Sequence, residues 1–462
     1  MDNSDMNLEV LQRELLRSTE QISDFIKTIG HSKRYLLLVL LMIEPKTFRF
    51  LKKEVNIEKT ALFNHLTKLM KALLVEKIDH GTYCLTEDAR DLLRVTYDVY
   101  HKSKVREYQI KRALQTQYSR SYQRMIKEQK KVIDPEPLFK PSWITYLGAF
   151  AGAFESLGSK IDTISVGGYS GYAFAVNVAK GRLCPSGPTA LCSKTWEEII
   201  AGTESFSGWK LRVISDNTPY PNTHPVDEAD RERARELFNQ IKKEIDEDER
   251  PVVLWGLPIP EYGIVKGYEM LTTAYLCSTY RHVAGIPETP VSYDAIQAPG
   301  SLHAFIFDRK VDVPENLDLE TMKRALRIIT DHGADPGYIA GPDAFKEWAD
   351  VLENGTLDEM SYHGNSYTAH CYHEAKDIAN KFLQRLHAKY SDNPQSGYLL
   401  AAAGEYEKAG ELLKEFTGLF PFAMEGNITS DNRKKGAKML RQVIPHEESA
   451  IRELKQVIGA WT

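Results

Sequence analysis

Cysteine is scarce in this 462-residue chain, and the five present (Cys84, Cys184, Cys192, Cys277, Cys371) are widely spaced, odd in number and form no CxxC pair. That excludes a disulfide framework and points to reduced thiols in a cytoplasmic protein. Long apolar runs are missing too. The longest, residues 35–43, is far below the ~20 residues that span a bilayer, so no membrane partner is expected. The first ten residues, MDNSDMNLEV, are acidic and lack the basic start and apolar stretch of a secretory signal. There is no low-complexity tract and no internal repeat, and a content of 42% hydrophobic and 27% charged residues is that of a globular protein. The length exceeds one core, so about two to four domains are expected.

What is present is most telling over residues 55–93. A turn containing Asn56 leads to a helix opened by Glu58, Lys59 and Thr60, on which Leu62, Leu66, Leu69, Met70, Leu73 and Leu74 recur at helical spacing. The other face shows Lys59, Thr60, Asn64, His65, Lys68 and Lys71, types that bond base edges or phosphates. Next come two strands, 75–79 and 83–85, flanking His80-Gly81-Thr82, a hairpin tip that would form a wing. Thr86 then caps a further helix with Glu87 and Asp88 in its first turn, where the helix dipole favours acids. Residues 1–131 hold 25 Lys+Arg and 17 Asp+Glu, a balance of +8, against −13 for the rest of the chain. Positive charge on this side suits double-stranded DNA as a partner.

The order of these features resembles the ArsR-like and MarR-like winged helix-turn-helix regulators, which implies operator binding. A helix over residues 8–29 (Leu8, Leu11, Leu15, Ile22, Phe25, Ile26, Ile29) precedes the motif, and residues 89–131 read as mostly helical after it. Flanking helices of this kind suit a homodimer reading two half-sites. Use of the motif as a protein-docking module, with a solvated lysine-rich face, is the other reading.

Asp134-Pro135-Glu136-Pro137 and Lys140-Pro141 break the helical pattern and mark the main boundary. The expected organisation is an N-terminal helix (1–30), a winged helix (31–103), a helical linker (104–140), an α+β domain with an antiparallel sheet (141–311) and an all-helical region (312–462). In the α+β domain a small-residue helix at 146–157 is followed by an apolar run at 163–166, a glycine-rich turn and a strand-like 173–178. Further strands are expected at 252–257, 263–268, 273–277 and 302–307. Helices are expected at 319–332, 342–352, 367–390, 395–416 and 430–458.

The phrase Gly167-Gly168-Tyr169-Ser170-Gly171-Tyr172-Ala173-Phe174 is dense in glycine and aromatics, as a ligand wall or a tight strand entry with packed aromatics would be. Together with the helix 147–158, the phrase Glu261-Tyr262-Gly263-Ile264-Val265-Lys266-Gly267-Tyr268 and the helical tail, it resembles the butirosin-biosynthesis-H-like family. That family is related to papain-like and C39-like cysteine peptidases, and its best-known member is an acyltransferase. The resemblance implies a papain-like fold from about residue 142 onward. It also implies a cysteine at the start of the first domain helix and a histidine at the start of a central strand. Here residues 141–183 contain no cysteine, so Gly148 or Ala149 fills the helix position, and Glu261 stands where the histidine would align. Cys184 is the alternative nucleophile, or a buried structural thiol.

These departures favour a domain that binds rather than catalyses. Tyr169, Ser170, Tyr172, Trp255, Glu261 and Tyr262 are the expected ligand contacts, for a cationic or polyhydroxylated small molecule. His370 and His373 share a helix face one turn apart and are the candidate metal ligands, but no second pair completes a site and no cofactor is expected. The expected function is a DNA-binding regulator with a catalytically disabled papain-like sensor. The alternatives are an acyltransferase or amide hydrolase carrying a regulatory winged helix, and a scaffold.

Overall fold

The computed structural model describes residues 8–79, 81–102, 129–216, 228–298 and 302–461. The chain forms two compact units, Met1–Lys130 and Lys131–Thr462. Both mix helix with antiparallel sheet, and a long helical region follows the sheet of the second. Among the described residues no helix is long and apolar enough to cross a membrane.

In the first unit the expected N-terminal helix is two helices, α1 (Leu8–Arg17) and α2 (Thr19–Ile29), separated at Ser18. Then come α3 (Ser32–Leu40), β1 (Lys46–Thr47), α4 (Phe48–Val55), α5 (Lys59–Lys71), β2 (Val75–Asp79), β3 (Thr82–Leu85) and α6 (Glu87–Lys102). The sheet order is β1-β3-β2, antiparallel, with Lys46 opposite Tyr83 and Val75 opposite Leu85. Local chemistry explains the sharp joins. Thr47 caps α4 by accepting from Phe50 N–H at 3.2 Å, and Asn56 ends it in a left-handed conformation, φ 50°, which asparagine tolerates. Leu37, Leu38, Leu41, Leu51, Val55, Leu62, Leu66 and Leu69 are fully buried at the centre. Leu73 departs from expectation: it leaves the helix with φ 57° and is 72% exposed, so it belongs to the turn and not to the stripe.

The second unit has a seven-stranded sheet. Its main path runs β10 (Val291–Ser292), β9 (Ala274–Ser278), β8 (Tyr262–Glu269), β7 (Val252–Trp255), β11 (Leu302–Lys310) and β6 (Trp209–Asp216), with every paired neighbour antiparallel. The chain enters it through β4 (Lys130–Val132), which pairs with β8. That strand corrects the helical reading of 89–131 at its C-terminal end, while residues 103–128 lie outside the described residues. The central helix α7 (Thr145–Ser156) packs on β7 and β8 and is buried on nearly every side, which its sequence TYLGAFAGAFES permits. A Cβ at Gly152 would stand 2.1 Å from Leu138 O and 2.8 Å from Ile264 Cδ1, so this glycine lets helix, sheet and the 138–140 segment close together.

The apolar run 163–166 opens a helix, α8 (Thr163–Ser170), capped by Asp162 accepting from Ser165 N–H at 2.9 Å, and Gly167 and Gly168 lie inside it and not in the expected turn. A short apolar run with an Asx cap at its head is helix or strand by pattern alone, and here the cap decides. The strand read at 173–178 shrinks to β5 (Asn177–Ala179), after a 3-10 turn at Tyr172–Phe174. Two helices had no forecast in the sequence, α9 (Ser193–Ser207) and α10 (Glu228–Glu247), nor did β6. The helical region comprises α12 (Leu317–Thr330), β12 (Tyr338–Ala340) paired with β5, α13 (Asp343–Asn354), α14 (Ser361–Lys389), α15 (Gly397–Leu419) and α16 (Ser430–Trp461), with the four-residue helix α11 (Tyr280–Val283) earlier in the chain. A single hydrophobic cluster runs from Ile133 to Val457, so sheet and helical region share one core.

Candidate functional site

Two surfaces carry the chemistry anticipated from sequence, one in each unit. In the first unit, α5 buries Leu62, Leu66 and Leu69 and exposes Lys59, Thr60, Asn64, Lys68 and Lys71, so the polar residues do share an outward face. Phe63 sits among them, 56% exposed. The sequence reading passed over it, although an aromatic off the apolar stripe was its signal. On a base-reading helix such a ring can meet a thymine methyl.

His65 faces sideways rather than outward. Its ring lies 4.7 Å from that of His31, and it is pushed down in pKa first by burial and then by His31, Arg34, Lys68 and Lys33. The cause shows a positive local field beside α5. Lys33 Nζ donates to Val55 O at 2.9 Å and Arg34 to the carbonyls of Thr28 (2.5 Å) and Lys27 (2.8 Å), so both cations also cap helix ends. Gly81, with φ 85°, and Thr82 lie at the β2–β3 hairpin, while His80 falls outside the described residues. The positive balance of residues 1–131 has a more specific location than the sequence total shows. Residues 1–100 hold 15 Lys+Arg and 15 Asp+Glu, so the surplus belongs to residues 101–131.

In the second unit the start of α7 meets the start of β8. Thr145 Oγ1 donates to Glu261 Oε2 at 2.5 Å and accepts from Tyr262 N–H at 3.0 Å, and Tyr367 OH donates to Glu261 Oε1 at 2.6 Å. Opposite, Glu374 of α14 accepts from Ile144 N–H at 2.8 Å and Ser142 Oγ at 2.9 Å, capping the free N–H groups of α7. Burial pushes both carboxyls up to about 7 against the hydrogen bonds that lower them. Thr145, rather than Gly148 or Ala149, occupies the first turn of the helix. The sequence search looked there for a cysteine and so missed the hydroxyl, along with Tyr367 and Glu374 far along the chain.

The chemistry available here is limited. A threonine hydroxyl held by a half-neutral carboxyl has no thiolate character, and Cys371 beside it is fully buried. Burial, then Glu261 and Glu374, pushes the Cys371 thiol well up, which makes it inert. Trp143, adjoining the helix start, is 36% exposed and packs on His370 at 4.4 Å and Phe422 at 4.9 Å.

Most of the other expected contacts are packed in the core, Tyr172 and Tyr262 both against Tyr146 at 5.3 and 5.5 Å. Trp255 lies 4.9 Å from Tyr262 by ring centroids. Tyr262 OH meets His303 Nδ1 at 3.1 Å, and Tyr172 OH donates to Pro188 O at 2.9 Å; all three rings are core. Ser170 is buried, and Tyr169 stacks on Phe206. The Gly167-Gly168 pair packs against α14, where a Cβ on Gly168 would fall 2.1 Å from Phe382 Cγ. Close packing of α8 on α14, with neither a turn nor a strand entry, therefore accounts for these two glycines. Cys184 Sγ is 3.0 Å from Ser186 Oγ. His370 Nδ1 bonds Ser366 O (2.8 Å) and His373 Nδ1 bonds Gly410 O (3.1 Å), and no metal-ligand group of three or more forms among the described residues. No protein-family model matches this chain, and no curated protein matches it.

Proposed function

We propose that this protein is a DNA-binding transcriptional regulator whose first unit is a winged helix-turn-helix and whose second is a papain-like domain that senses a small molecule instead of cutting a bond. The carrying observation is the face of α5. Lys59, Thr60, Asn64, Lys68 and Lys71 are exposed together on the second helix of a helix-turn-helix whose turn is set by Asn56, with a glycine-tipped hairpin following it. Helices so placed enter a major groove and read base edges from their N-terminal half.

Homodimerisation belongs to the same reading. α2 buries none of its residues, and Leu16, Ile26, Val95 and Val99 of α1, α2 and α6 are 71%, 56%, 59% and 64% exposed. Apolar faces of that size suit a second copy and a two-fold operator.

For the second unit, the support is Thr145 and Glu261 at the helix and strand starts where a papain-like dyad would need cysteine and histidine. Threonine and glutamate cannot form a thiolate–imidazolium pair, so a papain-type acyl transfer at this place lacks its thiolate. Regulation then requires a ligand with unequal affinity for DNA-competent and incompetent states.

The test is fluorescence anisotropy of the full chain on DNA from upstream of its own gene. Binding should weaken with salt and be lost when Lys59, Asn64 and Lys68 are replaced together by alanine. Unchanged binding in that variant refutes the assignment of α5.

A further inference from the structure

The second unit contains a cavity of about 290 Å3 whose lining includes neither Glu261 nor Glu374. It lies where the N-terminus of α9, the turn after α12 and the paired strands β5 and β12 meet. The volume is just under the roughly 300–1,000 Å3 of pockets for drug-sized ligands, so a small metabolite is the fitting size.

Hydrogen-bond accounting decides what kind. Cys192 Sγ–H and Thr195 Oγ1–H both donate to the His332 carbonyl, the latter at 3.1 Å. Asn177 Nδ2 donates to Gly187 O (2.9 Å) and Ala190 O (3.0 Å), and Tyr338 OH pairs with Ser186 Oγ at 2.9 Å. His332 Nδ1 donates to the Gly333 carbonyl at 2.7 Å, which leaves Nε2 as the ring nitrogen without a protein partner among the described residues. The side-chain donors of Cys192, Thr195 and Asn177 are thus directed to carbonyls of the protein.

The charge of the lining is negative. Asp335 and Asp343 line the cavity, neither is ion-paired among the described residues, and no lysine or arginine lines it. Asp335 Oδ1 receives Gly337 N–H at 2.7 Å and keeps its second oxygen. The apolar part of the wall is Val176, Leu191, Ile328 and Ile339. A ligand here has to bring N–H donors, positive charge and a short apolar body.

We propose that this cavity binds a small ammonium compound, its N–H groups directed to Asp335, Asp343 and His332 Nε2 and its carbon skeleton to Ile328 and Ile339. As an effector site it rests on the regulatory reading above; as a binding site it stands alone.

Isothermal titration of the full chain with isobutylammonium, phenethylammonium and putrescine chlorides, and with sodium isobutyrate and phenylpropionate, tests it. At least one amine should saturate with a Kd below ~10 mM while the carboxylates do not. The isosteric double variant Asp335→Asn/Asp343→Asn, which preserves the Asx turn to Gly337, should weaken that amine about tenfold or more, as loss of charge-assisted bonds requires. Asp343→Asn alone, on an exposed first helical turn, serves if the double variant does not fold. No saturation by any amine, equal binding of the carboxylates, or unchanged affinity in the variants overturns the proposal. DNA affinity measured in parallel separates the two readings, because a chain that ignores DNA can still titrate with amine.

Discussion

The most severe single perturbation expected in the second unit is removal of Lys376. Its ammonium lies 2.8 Å from Glu447 Oε1, joining α14 to α16, with side chains 0% and 1% exposed. The rings of Tyr406 and Phe345 lie 5.1 Å and 5.9 Å from Nζ, so the cation is enclosed by aromatic faces and one carboxylate. Water cannot solvate whichever partner is left. Lys376→Met removes the charge while keeping most of the volume, and strands Glu447 in apolar surroundings, at a cost of about 3–5 kcal/mol. At roughly 2 °C per kcal/mol for a unit this large, the Tm should fall by ~6–10 °C. The paired replacement Lys376→Met/Glu447→Leu exchanges both charges for hydrocarbon and should recover most of the loss. Thermal and urea unfolding of the single and double variants form a double-mutant cycle. A single-variant loss below ~1 kcal/mol, or a double variant no more stable than Lys376→Met, refutes the claim that the pair is desolvated and mutually dependent.

Other expectations follow from the packing and from the raised carboxyls. Gly168→Ala should cost about 1–3 kcal/mol in urea unfolding, because its Cβ would stand 2.1 Å from Phe382 Cγ, and a wild-type midpoint would contradict the close packing of α8 on α14. Glu261 and Glu374 keep their protons in the fold between the usual 4.5 and about 7, where the unfolded chain has released them. Their contribution to stability is therefore full below the unfolded value and lost as pH rises through about 7. Tm measured from pH 5 to 8 should fall less steeply in Glu261→Gln/Glu374→Gln than in the wild type, and parallel profiles would refute this.

Much of the architecture was legible in the residues. The strands at 252–257, 263–268, 273–277 and 302–307 and the five C-terminal helices all correspond to elements, because strong apolar periodicity and Pro/Gly punctuation mark them. The failures have local causes. Residues 163–166 read only as an apolar run because four residues cannot display helical period, and Asp162 as a cap was overlooked. α10, with its sequence EADRERARELFNQIKKEIDE, hides a buried stripe of Ala234, Leu237, Phe238, Ile241 and Ile245 among charges.

The site was less legible than the fold. The polar face of α5 is local, set by one helix, and five of the six named positions could be read directly, His65 turning instead toward His31. The Thr145–Glu261–Tyr367 arrangement joins residues 116 and 106 positions apart, which no spacing in the sequence reveals. The tyrosines near Gly171 looked like a ligand wall, yet composition cannot distinguish rings that line a cavity from rings that fill a core.

The regulatory account is tested most directly by the salt dependence of DNA binding. For the full chain on its upstream DNA, log K should fall linearly with log salt, and Lys68→Ala should reduce the steepness by about 0.9, the share of one phosphate contact. A slope near zero, or one unaltered by Lys68→Ala and by the triple replacement at Lys59, Asn64 and Lys68, would contradict the placement of α5 on DNA.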